Sequence, residues 1–217
     1  MNFYYQYEPS GYWWDKAKPY LNLIPVTSPS EVFCNPLLHP AHKADVMRLD
    51  ILLDRGGVYL DLDVISLKPF SPLLEFDVVL GEERNVGLCN AVILARPRAP
   101  FLSRWRNAYC SFDAKEWNSH SVKVPRMLAD EAPDEVHIVD HKKFFWPMYW
   151  REHLRSFFVE AGSSFCAESY CVHLWESLTW PHIRKLTVKH LLTVDSEFCS
   201  LVRQYVSDTM DEPVDVT

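Results

Sequence analysis

The chain has 217 residues, of which 48% are hydrophobic, and this is enough for one domain with a substantial core. Its formal net charge of −7 argues against a surface that binds nucleic acid. No apolar run reaches the length of a membrane-spanning helix, and no basic segment followed by an apolar one predicts a signal peptide.

The first 33 residues are predicted to form a loop, a helix and a strand. The aromatic-rich stretch 12–20 favours a helix that is broken at Pro19. Residues 21–26 are predicted as a short strand before a proline-containing turn.

A longer helix is predicted over residues 44–55, which contain neither Gly nor Pro and carry apolar residues at helical spacing. Asp45 and Arg48 are three residues apart, so they share one face of this helix and their side chains can meet. Gly56 and Gly57 supply the left-handed backbone conformation at which helices commonly end.

A strand is predicted to follow, beginning at Val58 and continuing through Ile65. Because residues two apart on a strand point the same way, Asp61 and Asp63 are expected to project together, with Leu62 on the other face. Two carboxylates at this range attract a cation or raise one pKa, and hard divalent ions such as Mg²⁺ and Mn²⁺ prefer oxygen ligands. The ordinary alternative is a pair of solvated aspartates at the end of a strand.

The rest of the chain is predicted to alternate short strands and helices. Strands are predicted at 77–81, 90–95, 136–139 and 170–174, helices at 100–112 and 152–160, and an amphipathic tail at 186–205. A strand, an acidic turn and a second strand would bring Glu82 close to Asn90. The aromatic residues within 144–150 are expected to fill core.

Four segments occur in a recognisable order: Asp45-x-x-Arg48, the run GGVYLDLD at 56–63, Leu67-Lys68-Pro69, and a His-x-Trp motif at 173–175. This pattern resembles the sugar-binding region of glycosyltransferase family 32, which includes α-1,4-galactosyl- and N-acetylglucosaminyltransferases and initiating mannosyltransferases. The resemblance implies an α/β fold of the GT-A-like Rossmann type, with a mixed central sheet flanked by helices. It implies a single domain over 1–217, with a catalytic core at about 9–180 and a helical C-terminal tail at about 183–217. The family's first strand, of Ile-Pro-Lys-Ile-Ile type, is missing from this sequence.

The resemblance also implies roles for individual residues. The metal ligands would be Asp61, Asp63 and His173, and the catalytic residues would be Asp61, Asp63 and Asn90. Contacts to the donor sugar or nucleotide would come from Asp45, Arg48, Gly57, Tyr59, Asp61 and Trp175, and contacts to the acceptor from Glu82 and His120. Ordinary alternatives are a solvated turn carboxylate for Glu82, a histidine on a polar turn for His120, and core positions for Tyr59 and His173.

The expected function is a glycosyltransferase that uses Mn²⁺ or Mg²⁺ as cofactor and a UDP- or GDP-sugar as donor. Its partner substrate would be a hydroxyl group of a saccharide or glycoconjugate. The resemblance implies retention of the anomeric configuration. Since the sequence offers no convincing enzymic nucleophile, front-face attack is favoured, with the leaving phosphate helping to deprotonate the acceptor.

Two other functions remain open: a non-catalytic module that binds nucleotide sugars, and a phosphatase of the haloacid-dehalogenase class. The phosphatase needs a second acidic motif after a strand, whereas the Asp130/Asp134 pair follows a predicted helix. The expected location is the Golgi or secretory pathway if the habit of the family holds, and otherwise the cytoplasm. The six dispersed cysteines favour free thiols and leave one or two disulfides open.

Overall fold

The computed structural model describes residues 1–161 and 167–206. The strands are β1 Asn2–Tyr5, β2 Asn22–Pro25, β3 Glu31–Val32, β4 Asn35–Pro36, β5 Gly57–Leu60, β6 Val64–Ser66, β7 Val78–Glu83, β8 Gly87–Ala95, β9 His137–Val139 and β10 Cys171–His173. The helices are α1 Tyr12–Ala17, α2 Pro40–Arg55, α3 Pro100–Ala108, α4 Val124–Glu131, α5 His141–Phe144, α6 Arg151–Val159, α7 Glu176–Ile183, α8 Val188–Thr193 and α9 Glu197–Val202.

The central sheet has four strands in the order β5-β8-β7-β9. β8 is antiparallel to both β5 and β7, while β7 and β9 are parallel. Three strands therefore run the same way, and the carboxyl ends of β5, β7 and β9 lie along one edge of the sheet. This mixed sheet with flanking helices confirms the predicted α/β fold of GT-A-like type.

Both faces of the sheet are covered. One core cluster joins α2, α3 and α4 to one face, and a second joins the aromatic segment after β9 to the other face. Every residue of β8 is buried because both faces of the strand are covered, and its residues are mostly apolar for the same reason. Such a strand forms a rigid support for the groups at its end.

Helix α2 has well-defined ends. It begins after His39, whose ring accepts a hydrogen bond from the Ala41 N–H at 3.2 Å, and Pro40 occupies its first turn. It ends at Gly56, where φ is 65° and an added Cβ would lie 2.6 Å from the Pro97 ring. The predicted helix is confirmed, and the Gly-Gly stop turns the chain directly into β5.

A bulge interrupts β8 opposite β7. Leu80 pairs with Ile93, but the next residue, Gly81, pairs with Cys89. The intervening segment, which begins at Asn90, therefore bows out of the β7 ladder at the site edge of the sheet. Bulges commonly redirect side chains in this way beside functional sites.

The beginning of the chain differs from the sequence prediction. Asn2–Tyr5 forms a strand that pairs in parallel with β2, so the loop predicted there is wrong. Its sequence, NFYY, differs from the Ile-Pro-Lys-Ile-Ile pattern expected of the family's first strand.

The end of the described chain is helical, as predicted, and α7 directly follows the His-x-Trp motif. The tail packs through Phe198 of α9 against Phe157 and Phe158 of α6. Residues 207–217 of the predicted tail and Cys166 lie outside the described residues. The five described cysteines are free, and within residues 1–161 and 167–206 no helix combines the length and apolarity needed to cross a membrane.

Candidate active site

The two aspartates of the Asp-x-Asp motif lie in a turn between two sheets. β5 ends at Leu60 in the central sheet, and β6 begins at Val64 in a separate ladder with β10. The prediction of one continuous strand from Val58 to Ile65 is therefore wrong. The turn is held by the Val64 N–H, which donates to the Asp61 carbonyl at 3.1 Å, and Leu62 at its tip is exposed.

The turn nevertheless brings the two aspartates together with His173. One ligand atom from each of Asp61, Asp63 and His173 lies within 4.8 Å of the others. His173 is the last residue of β10 and pairs directly with Val64, so the strand pair places its ring over the turn. His173 is buried, its Nε2 lies 3.2 Å from Asp63 Oδ2, and its Nδ1 has no hydrogen-bond partner.

Asp63 has a pKa below its ordinary value. Burial alone would raise it, but the hydrogen bond and charge of His173 and the Glu176 N–H, 2.9 Å away, outweigh burial. Glu176 begins α7, so a helix N-terminus faces the carboxylate. Asp63 is therefore held as an anion.

Arg48 is the centre of a second, buried group of polar side chains. Its guanidinium lies 3.1 Å from Asp45 on the same helix and 3.1 Å from Asp61 on the turn. It also donates to the Asn90 carbonyl at 2.8 Å. Arg48 is only 5% exposed, and although burial lowers its pKa, its interactions with Tyr59, Asp61 and Asp45 raise it above its usual value. The guanidinium is thus a permanent positive charge between two carboxylates.

Asn90 completes this group. Its amide donates to Asp45 Oδ1 at 2.7 Å, which the bulge in β8 permits. Burial raises the pKa of Asp45, and the Arg48 charge and the Asn90 hydrogen bond oppose that rise. Asp45 and Arg48, which are predicted to contact the donor sugar, therefore form one connected network with the predicted catalytic residue Asn90.

Tyr59 supports the same network from β5. Its hydroxyl donates to Asp61 Oδ1 at 2.6 Å, and its ring lies under the Arg48 guanidinium at 4.6 Å. Burial raises the pKa of the Tyr59 hydroxyl well above its ordinary value. Arg48 opposes this rise and Asp61 adds to it, so the hydroxyl stays protonated and remains a donor. In this structure Tyr59 orients Asp61, and its predicted contact with ribose stays a prediction.

Trp175 lies beside the predicted metal ligands. Its ring is 4.2 Å from that of His173, and its indole N–H donates to the Pro147 carbonyl at 3.0 Å. Its backbone is left-handed, with φ of 55°, at the point where the chain turns from β10 into α7. Its predicted contact with the diphosphate stays a prediction.

Three predicted site residues lie away from this centre. Gly57 is exposed at the far end of β5, about 13 Å along the strand from Asp61 at 3.3 Å per residue. Glu82 lies within β7 and not in a turn. Its carboxylate is close to the side chains of Asp140 and His141.

The third is His120, and its prediction as a histidine on a polar turn is wrong. It is buried in a short π-helix over Ser119–Lys123, and its Nε2 lies 3.2 Å from the Ala108 carbonyl and 3.3 Å from the Ser111 hydroxyl. Burial lowers the pKa of its ring. Its acceptor contact stays a prediction, which this buried position does not favour.

The sequence analysis missed Glu83. It is buried at the end of β7, Cys89 and Tyr149 lie within hydrogen-bonding reach, and it faces His173 closely enough to interact with its charge. Burial raises the pKa of its carboxyl, and those neighbours oppose the rise. Strand alternation is the signal that identifies it: Glu83 shares a face with Gly81, which packs on Phe145, whereas Glu82 points the other way.

Comparison with known proteins agrees with this arrangement. Residues 2–84 match a family described as "Glycosyltransferase sugar-binding region containing DXD motif". The chain is 37% identical over 221 residues to the glucan organizing enzyme 1 of Cryptococcus neoformans, an alignment that covers 97% of this chain and 60% of that protein.

Two further relatives share shorter regions. A mannosyl phosphorylinositol ceramide synthase of Saccharomyces cerevisiae is 28% identical over 139 residues, which is 58% of this chain and 35% of that protein. The initiation-specific alpha-1,6-mannosyltransferase of Candida albicans is 31% identical over 104 residues, or 46% of this chain and 26% of that protein. The chain thus spans less than two thirds of the length of each of these relatives.

Proposed function

We propose that the chain belongs to the family of glycosyltransferase sugar-binding regions that contain a DXD motif, which residues 2–84 match, and that it transfers a hexose from a nucleotide-diphosphate sugar to a saccharide or glycoconjugate hydroxyl. The observation that carries this proposal is the convergence of Asp61, Asp63 and His173 beside the Arg48 network. One part offers anionic ligands for a cation, and the adjoining part offers fixed donors and acceptors for hydroxyl groups.

The ligand set fits a divalent cation. Two carboxylates and one imidazole suit Mn²⁺, and Asp63 is held ionised while His173 keeps one ring nitrogen without a partner. In this proposal Asp61, Asp63 and His173 hold Mn²⁺ or Mg²⁺. The bound ion would neutralise the negative charge that develops on the departing diphosphate.

The Arg48 network would hold the donor sugar. Asp45 is fixed by Arg48 and Asn90, so its carboxylate offers acceptor positions in a set orientation. Arg48 is fixed by three oxygen partners and cannot swing away, which favours binding of one sugar configuration over its epimers. The hydrogen bond from Tyr59 fixes the orientation of the Asp61 carboxylate, which belongs to both the Arg48 network and the proposed metal site.

We further propose retention of configuration by front-face attack. The sequence offers no convincing enzymic nucleophile, and the buried Glu83 carboxyl, whose pKa burial raises, already interacts with His173, Cys89 and Tyr149. The oxygen of the leaving phosphate would then accept the proton of the acceptor hydroxyl. The anomeric configuration of the first product, followed by NMR, tests this step, and an inverted product would overturn it.

The test of the proposed function is a donor screen with UDP- and GDP-sugars in the presence of Mn²⁺ or Mg²⁺. The relatives' names concern mannosyl transfer, so GDP-mannose comes first in the screen. We expect hydrolysis or transfer with at least one donor, and loss of that activity in Asp63→Ala.

The matched control is Asp54→Ala, an aspartate exposed at the end of α2. It should turn over like the wild type. Equal turnover in all three proteins would overturn the metal-site assignment, and donor binding by calorimetry without any turnover would favour the non-catalytic module instead.

The phosphatase alternative has less support. Asp130 lies at the end of α4, where it pairs with Arg126 at 3.0 Å, so its partner is a surface arginine of its own helix. Release of phosphate from a simple phosphomonoester, without a sugar donor, would revive it. The single-domain organisation and the expected Golgi or secretory location stay predictions.

A further inference from the structure

A second group of potential metal ligands lies at the same edge of the sheet, two strands away from the Asp61 turn. β7 and β9 are parallel neighbours, and Gly81 pairs with Val139. Glu82 and Asp140 each follow those paired residues, so they stand side by side at the strand ends. His141 comes next and begins α5.

The three side chains converge. One ligand atom from each of Glu82, Asp140 and His141 lies within 4.8 Å of the others. The Asp140 carboxylate is oriented by the Lys142 N–H, which donates to its Oδ1 at 2.9 Å. In the described part of the chain, the Glu82 carboxylate has neither a hydrogen bond nor an ion pair.

His141 supplies an independent reason to expect a ligand here. It is only 4% exposed, yet neither of its ring nitrogens has a hydrogen-bond partner. Its Nδ1 lies 3.2 Å from Asp140 Oδ1, a contact that is an ion pair only if the ring is protonated. A buried polar group without a partner destabilises the folded state, so such a group in a folded protein needs an explanation such as a bound water or ion.

We propose that Glu82, Asp140 and His141 form a second divalent-metal site, suited to Zn²⁺ and distinct from the Asp61–Asp63–His173 cluster. An imidazole and two carboxylates are ligands that Zn²⁺ accepts, and three protein ligands leave one position for water. Ligand atoms on one tetrahedral Zn²⁺ lie about 3.3 Å apart at bonds of about 2.0 Å, a spacing to which the flexible Glu82 side chain can adjust.

The ion would fasten β7 to the start of α5. Phe144 and Phe145 follow directly, and they pack so closely on Gly81 that an added Cβ there would lie 2.6 Å from the Phe145 ring. Phe145 in turn lies 5.9 Å from His173. A metal at the second site therefore stabilises the aromatic segment that supports the first, although neither site depends on the other for its ligands.

The experiment measures binding of Zn²⁺ alone, without any sugar nucleotide, by competition of the metal-free protein with a chromophoric chelator. We expect Glu82→Gln to weaken the Zn²⁺ binding that survives in Asp63→Asn by at least about tenfold. Glu75→Gln, an exposed glutamate on the loop before β7, is the matched control and should bind Zn²⁺ like the wild type. In the Asp63→Asn background Zn²⁺ should also raise the Tm, and the further change Glu82→Gln should remove that rise.

His141→Asn gives a second readout through Co²⁺. Co²⁺ at the proposed site should show the visible absorption of a four-coordinate ion, and this band should be lost in His141→Asn. If His141→Asn does not fold, the test relies on Glu82→Gln alone. The Glu82 side chain is already partly exposed, so this variant should fold. Equal Zn²⁺ binding by Glu82→Gln and the wild type, or no Zn²⁺ binding by Asp63→Asn, would overturn the proposal and leave the donor screen unaffected.

Discussion

Asp61 and Asp63 are two residues apart, yet their carboxylates have different kinds of partner. Asp61 is paired at 3.1 Å with Arg48, which is positively charged at every accessible pH. Asp63 is paired at 3.2 Å with His173, which is a cation only when it is protonated. Asp61 therefore shares the permanent positive charge of Arg48 with Asp45, whereas Asp63 has no permanently charged partner among the described residues.

The comparison indicates a division of labour within one short motif. The Asp61 side is a buried network whose members hold one another in place, so it should contribute to stability and to recognition together. The Asp63 side should matter for function more than for folding. Three variants or pairs of variants can break or sharpen this distinction.

The largest effect on stability is expected from Arg48→Ala. It leaves both Asp45 and Asp61 without their cationic partner, and removing one member of a buried ion pair costs about 3–5 kcal/mol. Urea unfolding measures this loss. The control is Arg106→Ala, which removes a surface pair with Asp50 and should cost no more than about 1 kcal/mol.

Equal and small losses of stability in Arg48→Ala and Arg106→Ala would show that the Arg48 network around Asp61 does not stabilise the fold. Arg48→Lys adds a finer comparison, because a lysine keeps the charge but cannot reach three oxygens as a planar fork. We expect it to recover part of the stability and little of the donor affinity.

The second prediction concerns Asp63→Asn. The amide can still accept the Glu176 N–H, so the free energy of unfolding should fall by only about 1 kcal/mol. The kcat/KM for the active donor should fall at least about a hundredfold, because a neutral amide is a poor ligand for a divalent cation. If Asp63→Asn lost several kcal/mol of stability and kept its activity, Asp63 would matter for folding more than for function, contrary to this prediction.

The smallest effects should appear in the pH dependence of stability, with opposite signs at two carboxyls. The pKa of Asp63 is lowered in the folded protein, so its contribution is complete above its unfolded pKa and is lost as pH falls through the folded value. The pKa of Glu83 is raised, so its contribution is present below its unfolded pKa and is lost as pH rises through the folded value.

Urea unfolding between about pH 3.5 and pH 7.5, around the ordinary carboxyl pKa values, measures both contributions. The stability advantage of the wild type over Asp63→Asn should shrink towards acid pH. The difference in unfolding free energy between the wild type and Glu83→Gln should become smaller towards neutral pH. Parallel curves for the two variants would show that the two carboxyls do not have opposed surroundings.

Local patterns in the sequence predicted much of this arrangement. Helical spacing identified the face of α2 that carries Asp45 and Arg48, and their 3.1 Å contact confirms it. The Gly-Gly stop and most strands were predicted for similar reasons, because capping and alternation depend on near neighbours in the chain.

The parts that the sequence did not predict depend on distant residues. The break between β5 and β6 arises because β6 pairs with β10, and no property of residues 58–65 alone signals that change of partner. His120 lies in polar sequence and is buried because Tyr109 and Phe112 enclose it. The burial of Glu83 depends in the same way on Tyr149, far along the chain.

The helix N-terminus that faces Asp63 belongs to Glu176, which is 113 residues later in the chain. A ribosome adds about 5–20 residues per second, so the Asp-x-Asp motif leaves the ribosome on the order of ten seconds before this partner is made. Throughout that interval the nascent chain carries two aspartates that lack the histidine and the helix needed to define a cation site. The binding site is therefore completed only when His173 and the start of α7 have been made, well after the motif by which it is recognised.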